Sequence, residues 1–436
     1  MIRHSHQTVF GDIPPDWNAR PLRSLLSDQL SGDWGDDTGE VTLAVLRSTN
    51  FTDSGNLDTS DVARRGFSAA KAEQIQVRRT DILVERSGGG PNQPVGRVAM
   101  IRDDMPGTGF ANFVQLLRPD SERIVSELLL WTLHQYNRSG LVERLQHQTT
   151  QMRNLDLRDY LKILLPVPSD PAEQARIAEA LKAADDHIRA LEDQIRKAKR
   201  VKKALTRDLF TSGIHTPKER LFVKTKLGSL PSDWIVAPLA RICGGPDCVK
   251  TGPFGAQLPQ EAFAQTGVRM LNITDIGDGE IAWKSNFYVT EETFQRLRDY
   301  ELRSGDIAFS RVADVGRLAC IRSEQEPLLM SSNCIRLRAS PHFNSKFLTH
   351  AFKDAESVAR QVVAMSNAGG RPIVTPRFLR QIVVPCPPSP EQNEIAARVE
   401  HSEQLITALH AELVAARRVK QSLLQNLLTG RTRLKP

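Results

Sequence analysis

A long amphipathic stretch in the middle of the chain decides the fold. Residues 171–213 read PAEQARIAEALKAADDHIRALEDQIRKAKRVKKALTRDLFTSG. Apolar residues recur there at alternating steps of four and three, which is the spacing of a coiled-coil seam. The opening proline suits a first helical turn, and the final glycine suits a helix end. We therefore predict one long helix with a seam containing Ile177, Leu181, Ile188, Leu191 and Ile195.

The same pattern returns near the C-terminus. Its seam contains Ile395, Val399, Ile406, Leu409 and Leu413, each 218 residues after its counterpart. A break in the apolar spacing at Val201 recurs at Val419, so even the irregularity is repeated. A helix of ~42 residues would span ~63 Å. Core packing in an ordinary bundle is the alternative for one such helix, but the repetition favours an antiparallel pair that acts as a spacer.

Shorter repeats flank the two helices. GDIPPDW at 11–17 recurs as GSLPSDW at 228–234, and VGRVAMI at 95–101 recurs as VGRLACI at 315–321. Each helix is preceded by a proline-rich segment and opens with Glu173-Gln174 or Glu391-Gln392. The chain is therefore one module written twice. We predict globular domains at 1–168 and 215–387, and spacer helices at 169–214 and 388–436.

The globular segments indicate a mixed α+β fold. Short β-type runs such as 42–46 and 268–273 are bounded by turn-forming residues, and helical patterns lie around 126–134 and 346–361. The predicted architecture is two similar α+β domains separated by two long antiparallel coiled-coil helices, with a pseudo-two-fold internal repeat.

Composition and charge limit the class of protein and the kind of partner that the sequence allows. The chain carries 58 basic and 51 acidic residues, and 40% of its residues are hydrophobic, which is typical of a soluble globular protein. No apolar run approaches the ~20 residues that a membrane helix needs, so a cytoplasmic location is expected. The pI of about 9.2 favours a polyanionic partner. Cys243 and Cys248 lack a nearby histidine or further cysteine, so no metal site is predicted.

Several segments resemble a known family. GPFGAQL at 252–258, LNITDI at 271–276, SSNCIR at 331–336 and PEQ at 390–392, set within the repeated architecture, resemble the specificity (S) subunits of type I restriction-modification systems. The first half departs from this pattern, because it lacks a Gly-Pro-Phe-Gly loop and carries a glycine-rich insertion at 88–94.

The resemblance implies that each globular domain is a target-recognition domain reading one half of a bipartite, asymmetric site in double-stranded DNA. It implies that the helices set the spacing and dock two methyltransferase subunits, which motor-nuclease subunits join. S-adenosylmethionine, ATP and Mg are then expected on the partner subunits, with adenine as the methylated base and no cofactor on this chain.

The sequence also favours a non-catalytic role. It contains no Asn-Pro-Pro-Tyr-type methyltransferase motif, no P-loop Gly-Lys pair and no His-Glu-x-x-His. Two other classes of protein remain open. A freestanding enzyme would need a catalytic motif that is not found, and a two-headed non-DNA scaffold protein would bind proteins through both domains.

Base reading requires side chains with hydrogen-bonding edges, held on loops. In the first half the DNA-binding candidates are Arg47, Ser48, Asn50, Arg86, Asn92, Gln93 and Arg97. In the second half they are Lys250, Phe254, Gln257, Asn272, Thr274, Arg311, Arg317, Asn333 and Arg371. For each one, a solvated surface residue or turn former is the alternative. The arginines that recur in both halves, Arg86/Arg311 and Arg97/Arg317, favour phosphate positioning or fold maintenance, because domains that read different bases should differ where they read.

Overall fold

The computed structural model describes residues 7–88, 94–148, 152–215, 220–243, 245–312, 316–366 and 373–434. The chain divides into two compact units. Unit one combines residues 1–193 with 411–436, and unit two comprises residues 194–410. Each unit therefore contains one half of each long helix.

Unit one mixes short strands with helices. Its strands are β1 (Gln7–Thr8), β2 (Gly11–Asp12), β3 (Trp17–Pro21), β4 (Leu26–Ser31), β5 (Val41–Leu46), β6 (Ala63–Phe67), β7 (Ile82–Glu85), β8 (Ser87–Gly88), β9 (Val98–Met100), β10 (Thr108–Phe110), β11 (Val114–Pro119), β12 (Gln146–Gln148), β13 (Arg153–Leu155) and β14 (Leu164–Pro168). Its helices are α1 (Ala69–Gln74), α2 (Ser126–Arg138), α3 (Leu157–Tyr160) and the first half of α4 (Pro171–Ser212). The larger sheets have the orders β4-β11-β7-β9 and β10-β5-β6.

Unit two repeats this composition. Its strands are β15 (Phe222–Thr225), β16 (Gly228–Pro231), β17 (Ile235–Pro238), β18 (Val249–Thr251), β19 (Phe263–Ala264), β20 (Val268–Leu271), β21 (Asp278–Gly279), β22 (Tyr288–Val289), β23 (Glu301–Leu302), β24 (Ile307–Ser310), β25 (Leu318–Cys320), β26 (Leu328–Met330), β27 (Cys334–Leu337) and β28 (Val383–Cys386). Its helices are α5 (Leu239–Ile242), α6 (Glu291–Arg296), α7 (Ser345–Asp354), α8 (Glu356–Ser366), α9 (Pro376–Gln381) and the first half of α10 (Ser389–Leu427). Its larger sheets have the orders β18-β27-β24-β25-β21 and β19-β22-β20-β26-β23. The α+β class predicted from the sequence is confirmed.

The long helices end where the sequence pattern places their stops. Helix α4 runs from Pro171 to Ser212 and α10 from Ser389 to Leu427. Gly213 and Gly430 follow with φ angles of +75° and +69°, a left-handed conformation that terminates helices and favours glycine. A Cβ on Gly213 would also lie 2.1 Å from an oxygen of Glu391.

The halves of the two helices run antiparallel within each unit. In unit one, Asp185 of α4 contacts Lys420 of α10, and Glu192, further along α4, contacts the earlier Arg417. In unit two, Lys202 contacts Glu403, while the later α4 residue Leu209 shares a core with Ile395.

Most of the predicted seam is buried. Ile177, Leu181, Ile188, Leu191, Ile195, Ile395, Val399 and Leu413 are buried, whereas Ile406 and Leu409 are half-buried. Val201 and Val419, where the apolar spacing breaks, are 65% and 58% exposed. Most of the seam therefore faces away from solvent, apart from its half-buried middle in α10 and the repeated irregularity.

The seam continues into the domain cores. In unit one, Ile177 and Leu181 share a cluster with Leu128 and Trp131 of α2 and with Leu427 of α10. In unit two, Phe210, Ile395 and Val399 pack with Phe347 and Leu348 of α7. The helix predicted around 346–361 is interrupted at Ala355, where the backbone is extended and separates α7 from α8.

The repeated tryptophan has a structural purpose in unit one. The indole N–H of Trp17 donates to Glu173 in the first turn of α4, at 3.3 Å. Arg433, which follows α10, donates to the same carboxylate and to Asp16. Its hydrogen bonds with Asp16 and Glu173 raise the pKa of Arg433 above its ordinary value. The start of the chain, the start of α4 and the segment after α10 are thus joined around one carboxylate.

Unit two contains the same arrangement. Trp234 donates to Glu391 at 2.9 Å, and Arg220, which follows α4, donates to Glu391 at 2.6 and 2.7 Å and to Asp233. Burial raises the pKa of Glu391, but the hydrogen bonds from Arg220 and Trp234 outweigh it and hold the pKa below its usual value. In unit one the arginine follows α10, which begins in the second repeat. In unit two the arginine follows α4, which begins in the first repeat.

The glutamine of each Glu-Gln pair is also structural. Gln174 donates to the Pro168 carbonyl and accepts from the backbone N–H of Val125 at the start of α2. Gln392 donates to the Pro387 carbonyl and accepts from the N–H of Asn344 at the start of α7. These motifs therefore tie each long helix to its domain.

Candidate nucleic-acid interface

Parallel strand pairs place polar loops at one sheet edge in each unit. In unit one, β5 runs parallel to β10, with Leu46 opposite Phe110. In unit two, β20 runs parallel to β26, with Leu271 opposite Met330. The segments that leave these strands carry several of the predicted DNA-binding residues. We call residues 47–50 and 272–275 the β5 loop and the β20 loop.

The two loops share one construction. The backbone N–H of Arg47 donates to the Asn50 side chain at 2.8 Å, and the N–H of Asn272 donates to Asp275 at 3.0 Å. Burial raises the pKa of Asp275, but hydrogen bonds from Ser285 and backbone N–H groups outweigh burial and hold the pKa below its usual value. Asn50 and Asp275 are both buried, so they hold the loops from inside.

The position of Asn50 favours a structural role over the base contact that we predicted. Its amide nitrogen donates to the carbonyls of Asp58 and Asp61 at 2.8 and 2.9 Å, while its oxygen accepts from Arg47. Both ends of the side chain are thus occupied within the protein. The guanidinium of Arg47 pairs with Asp61 at 3.1 Å, Ser48 is half-buried, and Thr274 is exposed.

Arg97 and Arg317 support the loops from the neighbouring strand connections. Arg97 pairs with the buried Glu85 at 2.9 Å and donates to the Ser48 carbonyl at 3.0 Å. Arg317 donates to the carbonyl of Ile273, the matching loop position, at 3.4 Å. This shared contact supports the fold-maintenance alternative stated for the recurring arginines.

Arg86 and Arg311 occupy equivalent positions at the ends of β7 and β24. Their backbone N–H groups donate to the carbonyls of Phe113 and Asn333, at 2.8 and 3.0 Å. Their side chains differ in environment, because Arg86 approaches Ser31 whereas Arg311 lies 5.5 Å from the ring centre of Phe254. The repeat therefore preserves the backbone and varies the surface.

In unit two several of the predicted residues lie on one face. Gly252 packs so closely on the backbone that a Cβ there would lie 1.9 Å from the carbonyl oxygen of Ser331, which explains the glycine of the GPFG segment. Phe254 is 56% exposed beside Arg311, and Asn333 is exposed next to them. The N–H of Ser331 donates to Leu271, which joins this face to the β20 loop.

Sequence reasoning missed Tyr300 on this face. Its hydroxyl donates to Gln257 at 3.0 Å, and its ring centre lies 4.8 Å from the ammonium of Lys250. Tyr300 is 43 residues from Gln257 in the sequence, so no local pattern indicates their contact. Three predicted residues, Asn92, Gln93 and Arg371, lie outside the described residues.

Sequence reasoning also missed a repeated ion pair between an arginine and a buried aspartate. Arg118 makes a two-pronged contact with Asp81 at 2.8 Å, and Arg338 makes the same contact with Asp306 at 2.7 and 2.6 Å. These pairs hold corresponding strands of the two units. The signal was present in the sequence, since Asp81 and Asp306 lie within repeated segments.

One group among the described residues has the donor types of a metal site. His350, Asp354 and Glu403 place ligand atoms within 4.8 Å of one another. However, Lys202 and Lys353 already bind the Glu403 carboxylate, at 2.7 and 2.8 Å. Two ammonium groups at this distance disfavour a further cation, and the cluster is a partly buried salt-bridge network. The same described residues include no helix with the length and hydropathy required to cross a membrane.

Comparison with known proteins finds one family model that matches part of the chain. Residues 260–415 match the family described as the type I restriction modification DNA specificity domain. This match agrees with the resemblance found in the sequence segments, and the chain is similar to the specificity subunits of type I restriction-modification systems.

Two relatives extend the match. The specificity subunit of the type I restriction enzyme MjaVIII of Methanocaldococcus jannaschii is 25% identical over 295 residues, covering 66% of this chain and 67% of that protein. The specificity subunit of the EcoBI enzyme of Escherichia coli is 24% identical over 299 residues, covering 64% and 60%.

Solved structures show the same fold. The S subunit of a type I system from M. genitalium aligns with a TM-score of 0.59 at 16% identity, covering 95% of this chain and 96% of that one. A chain from a structure of type I complex assembly aligns with a TM-score of 0.55 at 15% identity, covering 97% of this chain and 100% of that one.

Proposed function

We propose that this chain is the DNA-reading subunit of a type I restriction-modification complex, and that each globular domain reads one half of a bipartite, asymmetric site in double-stranded DNA. The observation that carries the proposal is the duplicated loop support. Arg97 and Arg317 hold equivalent positions of the β5 and β20 loops, yet the loops expose different side chains. Two domains that bind different DNA sequences are expected to share the support of their loops and to differ in the polar side chains that these loops expose.

The charge of the chain supports a DNA partner. The chain carries a net charge of +7, and basic side chains that neutralise phosphates gain affinity by releasing counterions. In this proposal Arg47, Lys250 and Arg311 contact DNA, whereas Asn50 and Arg97 maintain the loops. The half-buried Arg86 is assigned to phosphate positioning.

The remaining parts of the proposal concern assembly. Residues 1–168 and 215–387 are the recognition domains, and residues 169–214 and 388–436 form the spacer. The spacer sets the distance between half-sites and docks two methyltransferase subunits, which motor-nuclease subunits join in the cytoplasm. In this proposal the chain itself catalyses no reaction. Methyl transfer to adenine, S-adenosylmethionine, ATP and Mg belong to the partner subunits.

Methylation of a randomised duplex library tests the proposal. The chain is combined with its methyltransferase partner and S-adenosylmethionine, and the methylated DNA is sequenced. We expect an asymmetric motif with two specified segments around an unspecified spacer. The chain alone should methylate nothing, and robust methylation by the chain alone would contradict the proposal.

Two variants assign the half-sites to the domains. Arg47→Ala in the β5 loop should relax or weaken one half-site, and Thr274→Ala in the β20 loop should affect only the other, so each variant controls for its counterpart. If the complex shows no sequence preference and its DNA affinity does not depend on salt, the two-headed protein scaffold becomes the better explanation.

A further inference from the structure

Gln257 has an amide that is fixed in one orientation. Its Oε1 accepts from the Tyr300 hydroxyl at 3.0 Å and from the backbone N–H of Phe254 at 3.4 Å. A backbone N–H can only donate, so the oxygen of the amide, and not its nitrogen, must face Phe254. Gln257 is exposed, and its Nε2 therefore points its two donors away from these contacts.

The backbone of Gln257 is held as well. Its N–H donates to the Phe254 carbonyl at 2.7 Å, and its carbonyl accepts from Arg296 at 3.0 Å. The described part of the chain offers no acceptor to Nε2. The side chain is thus positioned in advance, and one of its two polar ends is left available for a ligand.

Tyr300 is a firm support for this amide. Its ring is half-buried against two apolar clusters of unit two. The buried Arg336 of β27 donates to the backbone carbonyls on both sides of it, those of Asp299 at 3.1 Å and Glu301 at 2.9 Å. The Tyr300 hydroxyl is therefore carried by a segment that is anchored to the sheet.

The surroundings of Gln257 add donors. The Lys250 ammonium lies over the Tyr300 ring and 3.7 Å from the exposed carboxylate of Asp299. An ammonium donates and never accepts, as does the free end of the oriented amide. A base edge that meets the free end of the Gln257 amide and the Lys250 ammonium must supply acceptors.

On the basis of the proposed function, we propose that Gln257 reads a keto base, guanine or thymine, in the half-site of unit two, and that Tyr300 is the positioning residue that excludes adenine and cytosine. In the major groove guanine presents two acceptors, O6 and N7, and thymine presents O4. Cytosine presents the N4 donor, and adenine presents the N6 donor beside its single acceptor N7, so with either base a donor would face the donors of this surface. A glutamine with both polar ends available would instead pair with adenine, by accepting from N6 and donating to N7.

Selection of bound DNA from a randomised duplex library, with the full chain in complex with its methyltransferase partner, tests the assignment. The wild type should prefer G or T at one position of the half-site, by roughly 10- to 100-fold. Gln257→Glu replaces the two donors by an acceptor and should shift that position to C or A. Tyr300→Phe removes the shorter of the two hydrogen bonds that hold Oε1 and should admit adenine there, with the other positions unchanged. Gln260→Glu, which introduces the same charge at an exposed glutamine three residues away, should leave the motif unchanged.

Two outcomes overturn the inference and leave the proposed function intact. One is a wild-type preference for A or C at the position that Gln257→Glu alters, and the other is an identical motif in Gln257→Glu and Gln260→Glu. If Gln257→Glu abolishes binding, Tyr300→Phe decides alone, and an unchanged preference overturns the inference. If the wild type selects no motif, the proposed function fails first and the inference falls with it.

Discussion

The buried ion pair between Asp185 and Lys420 should stabilise unit one strongly. The Lys420 ammonium lies 2.5 Å from Asp185 and 4.0 Å from the ring centre of Trp131, and the two charged side chains are 9% and 1% exposed. Lys420→Met keeps an unbranched apolar stem and removes the charge. Asp185 then retains Arg189 at 3.2 Å and a long contact with Asn56 at 3.5 Å.

The magnitude follows from what remains around Asp185. Removing one partner of a buried pair costs ~3–5 kcal/mol, because the other charge is left uncompensated. Arg189 is 39% exposed and supplies part of the lost compensation. We therefore expect Lys420→Met to lower the free energy of unfolding of unit one by about 2–3 kcal/mol. Adding Asp185→Leu removes the stranded charge and should recover at least ~1 kcal/mol.

Hydrogen exchange measured on peptides is the appropriate assay, because two units need not unfold in one transition. Amides of α2 and of the first half of α4 should exchange roughly 30- to 150-fold faster in Lys420→Met, while α7 and α9 of unit two serve as the internal reference.

The matched control is Arg417→Met. It removes an exposed pair with Glu192, whose side chains are 58% and 44% exposed, and should cost less than ~0.5 kcal/mol. An equal effect of both methionine variants, or a double variant that loses the sum of its single losses, would refute the reasoning.

Three further predictions concern other parts of the chain. Glu391→Gln removes the carboxylate shared by Trp234 and Arg220 and should destabilise unit two by about 2–3 kcal/mol in hydrogen exchange, with unit one unaffected. Burial lowers the pKa of His134 to about 3, below the ~6.5 of an unfolded chain. The unfolded state therefore takes up the proton first, so unit one is fully stabilised above pH 6.5 and loses roughly 1.4 kcal/mol per pH unit as the pH falls from 6.5 toward 3. His134→Gln should abolish that slope in urea unfolding between pH 7.5 and 5.5, and an identical slope would contradict the assignment. Inserting seven residues after both Ala190 and Ala408 keeps the seam in phase and lengthens each helix by ~10.5 Å. Half-site bases in selected DNA should stay the same, with a longer spacer or weaker binding, and altered half-site bases at the original spacing would rule out a separate spacer.

Much of the fold could be predicted because the spacing of apolar residues along the sequence indicates the long helices. The seam spacing of α4 and α10 follows from 3.6 residues per turn, and the repeated glycines mark both helix ends. The duplicated segments then established two similar domains. The same reasoning located the repeated tryptophans and Glu-Gln pairs without showing that the tryptophans contact the glutamates.

The site was less predictable, because its residues meet only through long-range contacts. Asn50 and Gln257 are both amides in polar loops, and the sequence treats them alike. In the structure Asn50 is buried with both polar ends occupied, whereas Gln257 is exposed with one end held by Tyr300.

By itself, the sequence determined that this protein is a duplicated α+β module with two long amphipathic helices, since repetition and hydrophobic spacing are properties of the chain read in order. Tertiary structure alone decided which charges are buried together and which loop side chains face solvent. Lys202, one of a run of basic residues on α4, is paired with Glu403 about two hundred positions away. The two residues meet because the folded backbone brings segments that are distant in sequence within a few ångströms of each other. A local sequence pattern carries no information about such a long-range contact.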